Sequence, residues 1–283
     1  MKFGLIFIGL LFPGFVLAQT DTGMSLLGDV NFGPEKVQNA FKTSRVINLQ
    51  SIEVTDPGVL DVKINHRFGT INQGAYEGFG LDNAQVRIGA EYGIMSNLAL
   101  NFGRSSLTGM LDAGLKYRIM HQTSDNAKPL SVLVYAGTST GPVIPSFRKV
   151  IDYVGQVIIG RKISEGFSLQ LAPSYVTAGS SYKIMALGIG MRQKITTRTT
   201  LNLEYIPIFS KVQGVRNSLS VGVDIETGGH VFQLHLTNST GMAESMFIAR
   251  TANSWLDGGI HFGFNISRVF TVVSPTKFSY YYN

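Results

Sequence analysis

The sequence predicts an all-β protein, an antiparallel up-and-down transmembrane β-barrel of about twelve strands, with fourteen as the alternative. Three observations carry this reading. Apolar and polar residues alternate through about a dozen strand-length segments, short and longer connections interleave between them, and a secretory leader precedes them. Successive side chains of a strand point to opposite faces, so each segment has one apolar and one polar face. A soluble sandwich would bury the apolar face. A membrane barrel turns it to lipid and keeps charges in the lumen.

The leader is residues 1–18. Met1-Lys2 is its positive start, 3–16 is apolar but broken by Pro13, and Val16-Leu17-Ala18 is a small-residue cleavage pattern before Gln19. It is too short and too interrupted for an anchor, which needs ~20 apolar residues. The tail 19–57 admits three arrangements. It is a plug or arm beside twelve strands, it supplies strands from 24–32 and 45–54 to make fourteen, or the barrel is odd-numbered. Within it, 45–54 reads like a strand, and 34–41 is the best helical candidate in the chain.

The first predicted strand, 59–69, follows the turn signal Asp56-Pro57-Gly58 and alternates Leu60, Val62 and Ile64 with Asp61, Lys63 and Asn65. The second, 84–93, sets Val86, Ile88 and Tyr92 against Gln85, Arg87 and Glu91. The third, 97–104, places Leu98, Leu100 and Phe102 opposite Asn101; the fourth, 109–120, places Leu111, Leu115, Tyr117 and Ile119 opposite Asp112, Lys116 and Arg118. Strands at 130–139, 152–163 and 166–176 follow, with Val157, Ile159, Phe167, Leu169 and Leu171 assigned to lipid. The segment 182–194 turns Met185, Leu187, Ile189 and Met191 outward and Arg192 and Lys194 inward; 199–209 does the same with Leu201, Leu203 and Tyr205 against Glu204. The last three strands are 217–226, 230–238 and 258–270. They set Val221 and Val223 against Asp224, Leu234 and Leu236 against His235, and Phe262 and Phe264 against His261. Most lengths lie near the ~9–11 residues that cross a bilayer at a tilt. Phe68, Tyr92, Tyr175, Tyr205 and Phe270 lie towards strand ends, where aromatic girdles form.

The short connections are 93–96, 121–129, 164–165, 195–198 and 227–229, and the longer ones are 70–83, 105–108, 140–151, 177–181, 210–216 and 239–257. Outer-membrane barrels put turns in the periplasm and loops outside. Two connections depart from the length rule, 105–108 being short and 121–129 long. The barrel is thus 58–270, followed by a C-terminal tail, 271–283. The loop 239–257 holds Met242, Met246, Phe247 and the only tryptophan, Trp255. It folds into the mouth, binds a partner or packs on itself.

The inward parity yields the candidate lumen lining: Asp61, Lys63, Arg67, Arg87, Glu91, Asp112, Lys116, Arg118, Arg192, Lys194, Glu204, Asp224, His235 and His261. Both signs occur on neighbouring strands. The lumen is either an ion-paired, partly filled interior or a narrow pore with an anion bias. Arg161 breaks the parity beside a turn, where a long side chain reaches the headgroups. Strand glycines such as Gly188 and Gly190 relieve crowding in the lumen or permit bending.

Several chemistries drop out. The chain has no cysteine, which removes disulfides and thiolate chemistry. His235 and His261 face inward on adjacent strands, but no third ligand is fixed by spacing, so no metal or cofactor is assigned. No Ser, His and Asp fall at a recognisable spacing, so no catalytic residue is assigned and the chain does not read as an enzyme. The formal charge of +6 is spread without a basic run, which argues against nucleic acid. The expected partners are outer-membrane lipid and small polar solutes; the sequence names no protein partner.

Phe41-Lys42-Thr43-Ser44-Arg45-Val46-Ile47-Asn48, Gly58-Val59-Leu60-Asp61-Val62 and His66-Arg67-Phe68-Gly69 resemble an uncharacterised family of bacterial outer-membrane β-barrels, a domain of unknown function. So do Gly229-His230-Val231-Phe232-Gln233-Leu234 and Gly263-Phe264-Asn265-Ile266-Ser267-Arg268. The resemblance covers nearly all of the mature chain. It implies the fold and an outer-membrane location, and supplies no active residues. The leading expectation is a narrow, porin-like channel for small polar solutes. The alternative is a closed structural or partner-binding barrel acting through loops 70–83, 140–151 and 239–257, and an outer-membrane enzyme ranks last.

Overall fold

The computed structural model describes residues 34–140, 151–179 and 182–274. The predicted leader 1–18, the segment 24–32 of the fourteen-strand alternative, most of loop 140–151 and the tail from 275 lie outside them. Twelve antiparallel strands close into one ring. They are β1 (Val59–Thr70), β2 (Ala84–Met95), β3 (Leu98–Ser105), β4 (Leu111–Met120), β5 (Ser131–Thr140), β6 (Ile151–Lys162), β7 (Phe167–Ala178), β8 (Tyr182–Lys194), β9 (Thr199–Ile206), β10 (Ser218–Thr227), β11 (His230–Thr237) and β12 (His261–Thr271). Each strand pairs with its sequence neighbours, and β1 pairs with β12. Ile64 stands between Ile88 and Ile266, so the outward parity is in register across the closing seam. Ile88, Phe102, Ile119 and Met185 are exposed on the outer face, while Lys63, Arg87, Lys116 and Glu204 are buried inside.

Two strand limits fall three residues from expectation, each for a local reason. β9 stops at Ile206 because Pro207 has no N–H for the ladder; the same register resumes at the isolated Ala186–Ile208 bridge. β12 starts at His261 because 258–260 belong to a loop turn, with Gly258 at φ +68° and the Gly259 amide donating to Ser254 O at 2.9 Å. On the outer face His66 stacks on Phe264 at 4.7 Å, and Phe68 on Phe262 at 5.7 Å. Arg161, also outward, donates to Asn126 Oδ1 at 3.0 Å in the adjoining turn.

The helical candidate 34–41 is not helical. Lys36 bridges Thr123 in the 121–130 turn, Asn39 stands at φ +56° and the chain bends at 40–41. Nor does 45–54 become a strand. β1 and β12 are already hydrogen-bonded to each other, so the ring offers no free edge. The segment turns back inside the ring instead. Arg45 and Gln50 form one bridge, and the Val46 amide donates to Leu49 O at 2.9 Å. Residues 40–41 and 44–52 are buried. We refer to 40–55 as the plug. It passes inward beside the short turns and leaves by the same end, where the Gly58 amide donates to Gly93 O at 2.9 Å.

From the opposite end, the loop between β11 and β12 also folds in. It carries α1 (Glu244–Ala249), whose Phe247 and Ile248 are fully buried. These side chains join Phe41, Val46, Leu49 and Ile52 of the plug and Leu133, Ile158, Val176, Ile184 and Ile206 of β5–β9 in one apolar core. The interior therefore has two unlike halves. The large apolar side chains of the wall all come from β5–β9, where they stand among polar ones such as Gln156, Gln170 and Glu204, whereas β10–β12 with β1–β4 face the plug mainly with polar groups.

Candidate functional site

The plug lacks a β-ladder, so its backbone polar groups need other partners. Wall side chains supply them. Gln170 brackets the plug backbone, accepting from the Ile52 amide at 3.2 Å and donating to Gln50 O at 2.7 Å. Gln233 donates to Val46 O at 2.7 Å, and Asn265 to Ile47 O at 3.3 Å. Lys116 reaches Ser44 O and Glu53 O at 2.9 and 3.0 Å; Arg118 reaches Ile52 O at 3.1 Å. Arg192 holds Asn39 O and Ala40 O where the plug begins. Glu204 has the densest set. Its Oε2 accepts from the amides of Ile47, Asn48 and Leu49 at 3.2, 2.8 and 2.8 Å.

Close approach is built into the wall as well as polar satisfaction. A Cβ at Gly188 would lie 2.8 Å from both Leu49 methyls, one at Gly190 2.9 Å from Val46, and one at Gly160 2.7 Å from Ile52. These mid-strand glycines are sockets for the plug's apolar side chains.

Plug and folded loop meet at two points. Glu244 of α1 pairs with Arg45 at 2.8 Å and accepts from Gln50 Nε2 at 2.7 Å. Arg67 of β1 donates to Asn48 Oδ1 on the plug, to Ser239 O (2.9 Å) and Gly241 O (3.2 Å) on the loop, and to His235 Nε2 (3.0 Å) on the wall. Arg250, just after α1, grips Asp152 of β6 with both terminal nitrogens, at 2.6 and 2.9 Å. Arg250→Lys removes one of these charged bonds, roughly 1.5 kcal/mol. Hydrogen exchange of the α1 amides is expected to speed up about tenfold, the factor equivalent to 1.4 kcal/mol.

The remaining predicted lumen residues occupy the same interior. Asp61 pairs with Lys63 at 2.6 Å and accepts from Ser267 Oγ; Lys63 also donates to Ser44 Oγ at 2.6 Å. Arg87 and Asp112 form a buried pair, with Nε to Oδ1 at 2.9 Å. Glu91 accepts from Thr55 Oγ1 at 2.7 Å and lies 3.5 Å from Lys116. Asp224 accepts from Gln233 at 2.6 Å. His261 contacts Phe68 O, Thr240 Oγ1 and Asn253 Nδ2 within 3.0 Å. Lys194 is half-buried towards the turn-side rim. Both inward histidines are thus committed to hydrogen bonds, and among the described residues no three His, Asp or Glu converge as a metal site. In the 121–130 turn, burial and then Arg118 hold His121 below its usual pKa. Its neutral form can donate from Nε2 to Val37 O at 2.9 Å, close to where the chain turns into the barrel.

An open polar lumen does not describe this interior: the plug and α1 fill it, and they share an apolar core with residues of β5–β9. The sequence carried a sign of this. In Val132-Leu133-Val134-Tyr135 and Val157-Ile158-Ile159 the alternation lapses into continuous apolar runs, the pattern of strands buried on both faces.

A family model described as "Membrane bound beta barrel domain (DUF5777)" matches residues 41–270, a span that includes all of the plug but Ala40. No curated protein matches the sequence. Among solved structures, the KdgM porin aligns with a TM-score of 0.50 at 9% identity, over 75% of this chain and 99% of that one. The NanC porin aligns at 0.49 and 10%, over 76% and 100%, and Acinetobacter baumannii outer membrane protein Omp33 at 0.42 and 8%, over 75% and 97%. At 9% identity the likeness to the KdgM porin is one of fold alone.

Proposed function

The chain belongs to the DUF5777 family of membrane-bound β-barrel domains, and on that premise we propose that it is a gated outer-membrane channel for small polar solutes, closed at rest by its own N-terminal plug. One observation carries the reading. The wall keeps a lumenal set of charged and amide side chains whose partners are largely the backbone of a segment that belongs to no strand. A barrel that only needed filling would be served by apolar packing, which is commonly as stabilising as buried ion pairs or more so. Leu133, Ile158, Val176, Ile184 and Ile206 of the wall are served in that way. The rest of the lumenal face retains Arg67, Lys116, Gln233 and Glu204, groups that suit water when the plug is withdrawn. The short turns then face the periplasm, as does the end from which the plug enters.

The test is conductance in planar bilayers of the full chain and of a variant lacking 40–52. The full chain is expected to be silent or to open rarely, and the shortened one to conduct steadily. A shortened barrel that keeps its heat-modifiable gel migration yet stays silent would overturn the reading. That result would favour a closed barrel acting through its loops. One feature supports this second reading: Tyr76, Phe79 and Leu256 stand exposed on the loop side, with Phe79 held at φ +55°.

A further inference from the structure

We infer that a polar seam between the plug and the β11–β12–β1 wall is the path by which water and small polar solutes enter the barrel from the turn side, and that Arg67 latches its inner end. The identity of the cargo rests on the channel reading above; the seam rests on geometry alone.

A vestibule of about 370 Å³ opens at the turn-side mouth, with Lys42, Thr43, Asp61, Glu226 and Ser267 among its walls. Deeper in the barrel lies a second cavity of about 20 Å³, bounded by Arg45 and Ile47 of the plug, Lys63 and Asn65 of β1, Gln233 of β11 and Asn265 of β12. That is room for a water molecule, given polar partners. The two spaces share Thr43, Val231 and Ser267 as walls. Asn265 Oδ1 is buried with no partner among the described residues, so the deeper cavity has an acceptor waiting for a water. Across the plug, around Ala172 of β7, the interface is the apolar cluster that includes Leu49, Ile158, Val176 and Ile184, which offers water nothing.

The seam is closed by Arg67. Its guanidinium joins the plug at Asn48, the folded loop at Ser239 and Gly241, and the wall at His235. Among the described residues it forms no ion pair. It is therefore a buried cation held only by neutral acceptors, all but one of them on the two segments that fill the lumen. Such a group favours the closed state while those acceptors stay in place. It is readily hydrated once they leave.

Because the chain has no cysteine, single-cysteine variants give a clean test. The full-length protein is reconstituted in vesicles, and a small membrane-impermeant methanethiosulfonate reagent is applied from the turn side. Val231→Cys is expected to react quickly, Asn265→Cys slowly but measurably, and Ala172→Cys in the apolar core not at all. Adding Arg67→Ala is expected to raise the Asn265→Cys rate at least tenfold while leaving Ala172→Cys protected. Equal reactivity at Ala172→Cys, or none at Asn265→Cys, overturns the seam. An unchanged Asn265→Cys rate in the Arg67→Ala background overturns the latch. Labelling reads the seam without current, so a barrel that labels as expected but never conducts would keep the seam and remove the channel.

Discussion

Gly188→Leu is expected to unseat the plug, whereas Gly155→Leu, with the same change in volume two strands away on β6, is expected to be nearly silent. Both glycines lie within strands, but on opposite faces. At Gly188 even the first added carbon would sit 2.8 Å from two Leu49 methyls and 3.2 Å from Ala172 Cβ. Leu49 is fully buried in the shared core, so it has no free volume to move into. Overpacking of this kind costs about 1–3 kcal/mol. The plug is the element able to yield, because it belongs to no ladder while Ala172 is fixed in β7. Amide exchange across 46–52 is expected to rise about tenfold or more, 1.4 kcal/mol being a factor of ten, and conductance to become detectable. At Gly155 an added carbon meets nothing within 4 Å. Equal exchange in the two variants would show that Leu49 does not depend on this socket.

This contrast also marks where the sequence was legible. Alternation fixed the inside and outside of β1–β4 and β8–β12, because polar residues alternate with apolar ones wherever one face meets lipid and the other a polar interior. The inward residues Lys63, Arg87, Lys116 and Glu204 follow from that parity alone. In stretches of β5 and β6 both faces are apolar, as at Leu133, Val154 and Ile158. There the pattern could mark strands but not report what lay inside. The plug was harder still. The segment 45–54 reads like a strand from residues such as Val46, Ile47, Ile52 and Val54, and its fate was decided by closure of β1 on β12, a long-range event with no local signature. The glycines opposite it were visible, but their purpose needed the plug's position. The loop 239–257 announced itself only by its length and its apolar side chains. Its inward path depends on Arg250 reaching Asp152, 98 positions away.

The largest electrostatic effect is expected at Glu204. A single carboxylate oxygen accepts three consecutive plug amides, and Glu204 is fully buried. Glu204→Leu would strand all three donors in a site with no other acceptor arranged for them. Each buried, unsatisfied group costs about 1–3 kcal/mol, so the seated plug would lose roughly 3 kcal/mol or more. Glu204→Gln keeps a carbonyl oxygen of the same reach but removes the charge. Charge-assisted bonds are about twice as strong as neutral ones, so this variant should fall between the two. Exchange protection of the Ile47, Asn48 and Leu49 amides is expected to decrease from Glu to Gln to Leu, and open-channel occupancy to rise in the same order. Asn48 makes the effect reach across the barrel. Its amide donates to Glu204 on β9 while its side-chain oxygen accepts from Arg67 on β1. The plug tip therefore stands between opposite charges of the wall and satisfies each of them. Loosening it at Glu204 also takes an acceptor from Arg67, so the double variant Glu204→Leu, Arg67→Ala should cost less than the sum of the two singles. Strict additivity would mean that the tip does not couple them.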